Sequence, residues 1–327
     1  VLVAAAILFI LFRIVPLRDV VEVMSMATPW WVAAGFAVMI VERIVAAWRL
    51  KILTARLMMP FSVVSLCEIS AIASFYSLFL PGDLAGGGVR WYRMSQPSGQ
   101  RAEAFAALLF ERLIDTVTLV LFGLIFWALD DPPFETPFLD LILLLLLAGL
   151  VVATAALLSP TTSRLTGRMM DLIPVIRLRD FMAEKVAKVL DSVQTFRGLP
   201  RSAAVGLVAL SVVRHLLSVV IILCFAQALA VAVGFSTIGW LRSFMNMITM
   251  LPIAFAGLGV REASFSILLQ PYGIAAASAI ALSLFTFLTH VFLAVLGGLL
   301  QLRRILLPGR IPLLDQPPTS PESLRKT

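Results

Sequence analysis

Histidine and cysteine are almost missing from this chain, two of each in 327 residues. No cluster of them has metal-ligand spacing, so no metal site is expected. Cys67 and Cys224 both lie in apolar stretches and read as packing residues rather than a disulfide. No GxxxxGK[ST] segment occurs, which excludes ATP binding in the P-loop manner. Any transport is then passive, ion-coupled or powered by a partner, and no cofactor is expected. Charge is scarce too, at 14% of residues against roughly a quarter in a soluble domain. Apolar residues fill the gap: 60% of the chain is hydrophobic and the mean hydropathy is +1.00. Several apolar runs reach about 20 residues, the length that crosses a bilayer as a helix. The chain reads as an all-α, polytopic membrane protein. Its net charge of +7 is spread over loops, which fits anionic lipid surfaces and membrane orientation better than nucleic acid.

Two stretches of nearly the same eleven residues organise the rest. They are Leu80-Pro81-Gly82-Asp83-Leu84-Ala85-Gly86-Gly87-Gly88-Val89-Arg90 and Leu251-Pro252-Ile253-Ala254-Phe255-Ala256-Gly257-Leu258-Gly259-Val260-Arg261. Aligned without a gap they agree at seven of eleven positions, at a constant offset of 171. Arg43 and Arg214 fall in register at the same offset.

Along the chain, Val1 to about Val15 reads as a span clipped at its start rather than a signal peptide. Further spans are expected at about Pro29–Trp48, Ala102–Leu129, Phe138–Leu158, Ser202–Val233 and Ile274–Leu302, with the two motifs interrupting apolar hairpins at 61–95 and 236–272. The loop Arg49–Arg56, the segment Thr161–Pro200 and the tail after Arg303 are basic and are assigned to the cytoplasm. The acidic turn Asp130–Glu135 is assigned outside. By parity, the first hairpin enters and leaves from the cytoplasm and the second from the outer face. The expected architecture is about six full spans plus two re-entrant helical hairpins in an inverted repeat, within one transmembrane domain over 1–304. Its halves cover about 29–129 and 202–302, joined through an amphipathic segment at 161–200. Leu178, Phe181, Met182, Val186, Val189, Leu190, Val193 and Phe196 share one face of that segment, which is expected to lie at the inner leaflet. Residues 305–327 are proline-rich and read as a disordered tail.

Pro81 and Pro252 break the helix, and Gly82, Gly86, Gly87, Gly88, Gly257 and Gly259 let backbone approach backbone or ligand closely. Half-helices starting after each proline would offer N–H groups to an anion, with Asp83 at the first tip and Arg90 and Arg261 adding charge. An arginine at bilayer depth costs on the order of 2.5–3.5 kcal/mol, which points to function. The competing reading has the glycines permit tight packing while the arginines, Arg93 included, reach the interface. Glu111 and Asp115 share a helical face, with Arg112 within reach of Asp115. They are either a structural ion-pair cluster, or a proton relay or counter-charge for a cationic head group. Glu262 beside Arg261 and the adjacent Glu42 and Arg43 admit the same readings, and Arg214-His215 either lines the cavity or pairs with one of these acids.

The Leu80-Pro81-Gly82 turn with its glycines and Arg90 resembles the lysylphosphatidylglycerol synthase transmembrane, or flippase-like domain, family. So do Glu111-Arg112 with Asp115, and Leu251-Pro252 followed by Gly257-Leu258-Gly259-Val260-Arg261-Glu262. The resemblance spans roughly Trp30 to Arg304; one departure is Ser77-Leu78-Phe79, where the family commonly has Asn before the turn. It implies a bacterial inner-membrane protein that moves a phospholipid or another lipid with an anionic phosphate head between leaflets. Implied partners are an anionic or zwitterionic phospholipid, a lipid-linked glycan or a hopanoid-type lipid. A lipid-synthesising enzyme or a second copy of the chain is a further partner. No aminoacyl-transferase domain lies in these 327 residues, so lipid synthesis by this chain alone is not expected. The rival readings are a membrane-embedded transferase and an accessory scaffold for a lipid-modifying enzyme.

Overall fold

A computed structural model describes residues 15–79, 83–130, 132–133, 139–159, 186–250 and 259–306. Among them there are helices and no strand. In chain order these are α1 (Leu17–Ser25), α2 (Pro29–Arg56), α3 (Val63–Phe79), α4 (Asp83–Ser98), α5 (Arg101–Asp130) and α6 (Leu139–Leu158), then α7 (Arg201–Ala228), α8 (Phe235–Met250), α9 (Val260–Leu269) and α10 (Ala276–Leu306). A helical stretch at 186–194 runs into the 3₁₀ turn Thr195–Gly198, and a second 3₁₀ turn, Gln270–Tyr272, joins α9 to α10. Four helices, α2, α5, α7 and α10, are long and apolar enough to cross a membrane; α3 and the stretch Leu144–Ala156 of α6 are shorter apolar pieces. Trp30, Leu145, Val205, Ile267 and Leu299 are all well exposed, as side chains that face lipid should be.

The chain runs long helix, two short helices, long helix, and then does so again. The helix ends repeat in detail. Both α2 and α7 close with the N–H of the second residue past the cap reaching back over a full turn. Met59 donates to the Thr54 carbonyl at 2.9 Å, and Val231 donates to the Ala226 carbonyl at 2.8 Å. The residue before each donor, Met58 (φ 57°) and Ala230 (φ 53°), turns left-handed without being glycine. Pro29 sits in the first turn of α2, where its missing N–H costs nothing.

The halves pack by exchange. α2 and α7 lie antiparallel: the Thr28 N–H donates to the Ala228 carbonyl at 2.9 Å at one end, and Arg49 reaches Ser211 at the other. α3 of the first half rests antiparallel on α10 of the second, so close that a Cβ on Gly297 would stand 1.9 Å from the Ala71 carbonyl oxygen. α8 rests in the same way on α5, with Gly239 against Phe126 and Gly123 against Ser243. One apolar core gathers around Phe225, Trp240, Phe265 and Phe285, and another around Leu50, Phe61, Phe110 and Phe196.

Two expectations change. The basic run Arg49–Arg56 is no loop but the end of α2, with Arg49, Leu50 and Leu53 buried. A run of charge looks like a loop until acids on other helices take it up, as happens to Arg49. In the segment 161–200, the described part buries Leu190, Val193 and Phe196 in protein, where Phe196 stacks on Phe110 at 4.4 Å. That face is therefore not free for the inner leaflet. The first expected span up to residue 14, Leu178 to Met182 and the tail from residue 307 lie outside the described residues, while Ile305 and Leu306 continue α10.

Candidate functional site

Three long helices bring acid and base together deep in the protein. Glu42 and Arg49 share a face of α2, Glu111 and Asp115 a face of α5, and Ser211, Arg214 and His215 project from α7. Arg49, only 3% exposed, is the hub. Its Nη1 donates to Asp115 Oδ1 at 2.7 Å and to Ser211 Oγ at 2.8 Å, and its Nη2 to Glu111 Oε1 at 3.2 Å. Arg214 lays Nη2 2.5 Å from both oxygens of Asp115 and sends Nη1 to Glu42 Oε1 at 3.1 Å. The other oxygen of Glu42 faces Arg43 Nε at 3.1 Å.

Each hairpin adds one arginine. Arg90, on α4, donates through Nη2 to Glu111 Oε2 at 2.8 Å. Arg242, on α8, has Nη1 3.1 Å from Nδ1 of the fully buried His215. A guanidinium has no acceptor, so Nδ1 must accept and the imidazole is the neutral tautomer with its proton on Nε2. That proton faces Thr118 Oγ1 at 3.1 Å, whose own hydroxyl donates to the Ile114 carbonyl. Among the described residues no carboxylate stands within ion-pair distance of Arg242. The cluster therefore holds the guanidiniums of Arg43, Arg49, Arg90, Arg214 and Arg242 against the carboxylates of Glu42, Glu111 and Asp115. The Nε atoms of Arg49 and Arg90 are buried with no hydrogen-bond partner among the described residues.

The second motif is arranged differently. Gly259 (φ 84°) opens α9 in a conformation that favours glycine, and its N–H donates to Glu262 Oε2 at 2.6 Å. Arg261 donates to Glu262 Oε1 at 2.9 Å and to Ser283 Oγ at 3.1 Å, and lies over the Phe287 ring. The start of α9 thus already holds a carboxylate of its own chain. At the first motif, a Cβ on Gly86 would stand 2.1 Å from Ser77 Oγ, whereas Gly87 and Gly88 face open space. Close packing accounts for one of these glycines and not for the other two. Pro81, Gly82, Pro252 and Gly257 lie outside the described residues, as does the side chain of Asp83.

Of the proposed cavity charges, Glu42, Arg43, Glu111, Asp115, Arg214 and His215 converge, while Arg112 is exposed. Sequence reasoning missed Arg49, which a basic run concealed, and Arg242, whose signal was a lone cation inside an apolar hairpin. It also missed a clasp at the base of the second hairpin. Asp130, at the end of α5, accepts from Ser236 and Thr237 at 2.8 and 2.7 Å, from Trp240 Nε1 at 2.7 Å and from the Tyr272 hydroxyl at 2.5 Å. Burial, then the bond to Asp130, pushes the Tyr272 phenol above its usual range. The first hairpin has a counterpart on α10: Arg304 grips Glu68 at 2.5 Å, and Arg93 donates to Gln301.

Among the described residues no three of His, Cys, Asp and Glu converge as a metal site. The profile of the lysylphosphatidylglycerol synthase TM region matches residues 1–298. In comparisons with curated proteins and with solved structures nothing matches.

Proposed function

Since the chain belongs to the lysylphosphatidylglycerol synthase TM region family, we propose that it moves a phospholipid, or another lipid with an anionic phosphate head, between membrane leaflets. The observation that carries this reading is the excess of guanidinium over carboxylate around the buried Arg49, supplied from both hairpins and the long helices. Charge in an apolar interior is costly unless paired. Arginine grips phosphate through two donors at once, so the excess is suited to a phosphate that enters while its acyl chains stay in lipid.

The repeated helix order and the exchanged antiparallel packing support an inverted repeat, in which two hairpins dip from opposite faces towards a site near the midplane. The basic residues of Thr161–Pro200 and of the C-terminal end support a cytoplasmic position for both, at the inner membrane. A transferase would need a carboxylate free to act as base or to hold a metal. Here both oxygens of Glu42, Glu111 and Asp115 face guanidiniums, which speaks against it.

The test is leaflet-resolved movement of fluorescent lipids in liposomes containing the purified protein. Acceleration over protein-free vesicles is expected. Rates equal to theirs for every anionic lipid tried would remove the transport reading.

A further inference from the structure

We propose that His290 carries a proton for this site, so that the phosphate of a lipid head and a proton bind together and cross together. This rests on the reading of the chain as a mover of lipids with a phosphate head, and names the ion to which that movement is coupled.

His290 stands at the middle of α10, one of the four helices long enough to cross a membrane. The face of α10 that meets lipid is the stripe of Leu288, Phe292, Val295 and Leu299, spaced i, i+4, i+7 and i+11 and all exposed. His290 is on the other side of the helix. It shares its face with Ser283 at i−7, Leu293 at i+3 and Gly297 at i+7. Ser283 and Leu293 are buried, and Gly297 packs against the backbone of α3. His290 is nevertheless exposed. An exposed side chain on the inward face of a spanning helix lines an opening within the protein, and an ionisable one there calls for water.

The neutral ring has one tautomer here. Its Nδ1 lies 3.1 Å from the Thr286 carbonyl oxygen, which can only accept, so Nδ1 carries the hydrogen. Nε2 keeps its lone pair and has no hydrogen-bond partner among the described residues.

The charges around it come from α9 and α2. Arg261, on α9, reaches Ser283 and lies over the Phe287 ring, so it spans the two turns of α10 that precede His290. Arg43 and Glu42, on α2, also bear on the imidazole. The Arg43 side chain is 39% exposed although it lies off the lipid-facing stripe of Val41, Ile44 and Trp48. Glu262 is held behind Arg261 by the Gly259 N–H. The other elements packed on α10 bring their charges elsewhere. α1 meets it at Ile280 and Ala281, Glu68 and Arg93 meet its far end at Arg304 and Gln301, and Arg214 of α7 is engaged with Asp115 and Glu42.

A phosphate drawn to Arg43 and Arg261 comes up beside Nε2. The anion and an imidazolium attract one another, so each binds more tightly when the other is present, and the linkage is reciprocal. Nε2 takes a proton from water where the lipid enters and returns it to water where the lipid leaves. The linkage runs through the phosphate, whatever else the head group carries. Glu111 and Asp115, by contrast, face guanidiniums through both oxygens and keep none free to carry a proton.

The experiment uses fluorescent phosphatidylglycerol in proteoliposomes with a gradient of about one pH unit and the membrane potential clamped to zero. The wild-type protein should carry the lipid to about a tenfold excess in the leaflet on the alkaline side, because one pH unit and a tenfold ratio are the same free energy. It should reach that excess faster than protein-free vesicles do. Whatever movement remains in His290→Gln should end in an even distribution, and His290→Asn repeats the test with a smaller side chain. A wild-type distribution indifferent to the gradient would overturn the proposal. So would gradient-driven accumulation that survives both variants, since the proton would then travel elsewhere. Proton uptake on adding the same lipid to purified protein in weakly buffered detergent is read in parallel, between about pH 5 and 8. Uptake by the wild type that is lost in the variants, with no movement in vesicles, would sustain the lipid–proton linkage and remove the transport reading. Movement in vesicles without lipid-linked proton uptake would keep that reading and overturn the coupling.

Discussion

Arg214 Nη2 stands 2.5 Å from each oxygen of Asp115, and Nη1 of the same guanidinium donates to Glu42 at 3.1 Å. One side chain of α7 thereby ties α5 to α2. Removing one partner of a buried pair leaves the other charged and unpaired, at a cost of about 3–5 kcal/mol. Arg214→Gln should therefore lower thermal stability in detergent sharply. Adding Asp115→Asn should recover part of the loss, since fewer buried charges then lack a partner. Wild-type melting of Arg214→Gln would show that the pair does not hold these helices together.

Asp130 fastens both ends of the second hairpin, through Ser236, Thr237 and Trp240 before the tip and Tyr272 after it. An amide has one acceptor oxygen in place of two. Asp130→Asn should raise hydrogen exchange at the start of α8 about tenfold, equivalent to one lost charge-assisted bond, while α3 exchanges as before. Tyr272 adds a pH signature. Its folded phenol titrates above the unfolded value of about 10, so its contribution is complete below that pH and fades as pH rises through the folded value. The phenolate absorbance lost in Tyr272→Phe should accordingly appear well above pH 10.

Gly297 tests the contact between α3 and α10. An added methyl would meet the Ala71 carbonyl oxygen at 1.9 Å, and backbone cannot turn aside as a flexible side chain can. Gly297→Ala should lower the melting temperature by several degrees, equivalent to about 1–3 kcal/mol of overpacking. Gly149→Ala, with nothing within 4 Å, should not destabilise. Equal melting of the two variants would mean that the helices are not this close.

Orientation is read from accessibility. With Cys67 and Cys224 replaced, single cysteines at Pro133 and Gly198 should react with impermeant reagents from opposite faces, Pro133 from outside. Labelling of both from one side would break the inverted arrangement.

The two motif arginines should part company. Arg90→Gln removes a hairpin charge from the cluster and should slow lipid movement roughly ten- to a hundredfold, with partial rescue by lysine. Arg261 is tied to Glu262 and Ser283, so Arg261→Gln should also loosen the start of α9 and lower stability. Full-rate movement by a monodisperse double variant would take both out of the mechanism.

The long helices and the pairs of short helices between them were legible in the sequence, because apolar runs act locally. Glu111 and Asp115 stood out as carboxylates inside a span. Arg214, 99 positions from Asp115, was read as lining the cavity or pairing with one of these acids, but Arg49, 62 and 66 positions away, was not. No periodicity encodes such pairings, which depend on how α2 and α7 cross α5. Asp130 looked like part of an acidic turn because its four donors lie 106 to 142 positions downstream.

Two copies of a polypeptide running only from α2 to α5, placed in opposite orientations in one bilayer, could form every exchanged helix contact seen here. Each copy's α3 would rest on the other's α5, and α2 would meet α2. They could not form the cluster once. At the offset of 171, Arg49 corresponds to Val220, Glu42 to Val213, Glu111 to Leu282, Asp115 to Thr286 and Arg242 to Ala71. Identical copies would have to carry each of these charges twice or not at all. Joining the halves in one chain frees them to differ, so that Glu42, Arg49, Glu111 and Asp115 come from one and Ser211, Arg214 and Arg242 from the other. Covalent linkage is then what leaves the described residues with one such cluster rather than two.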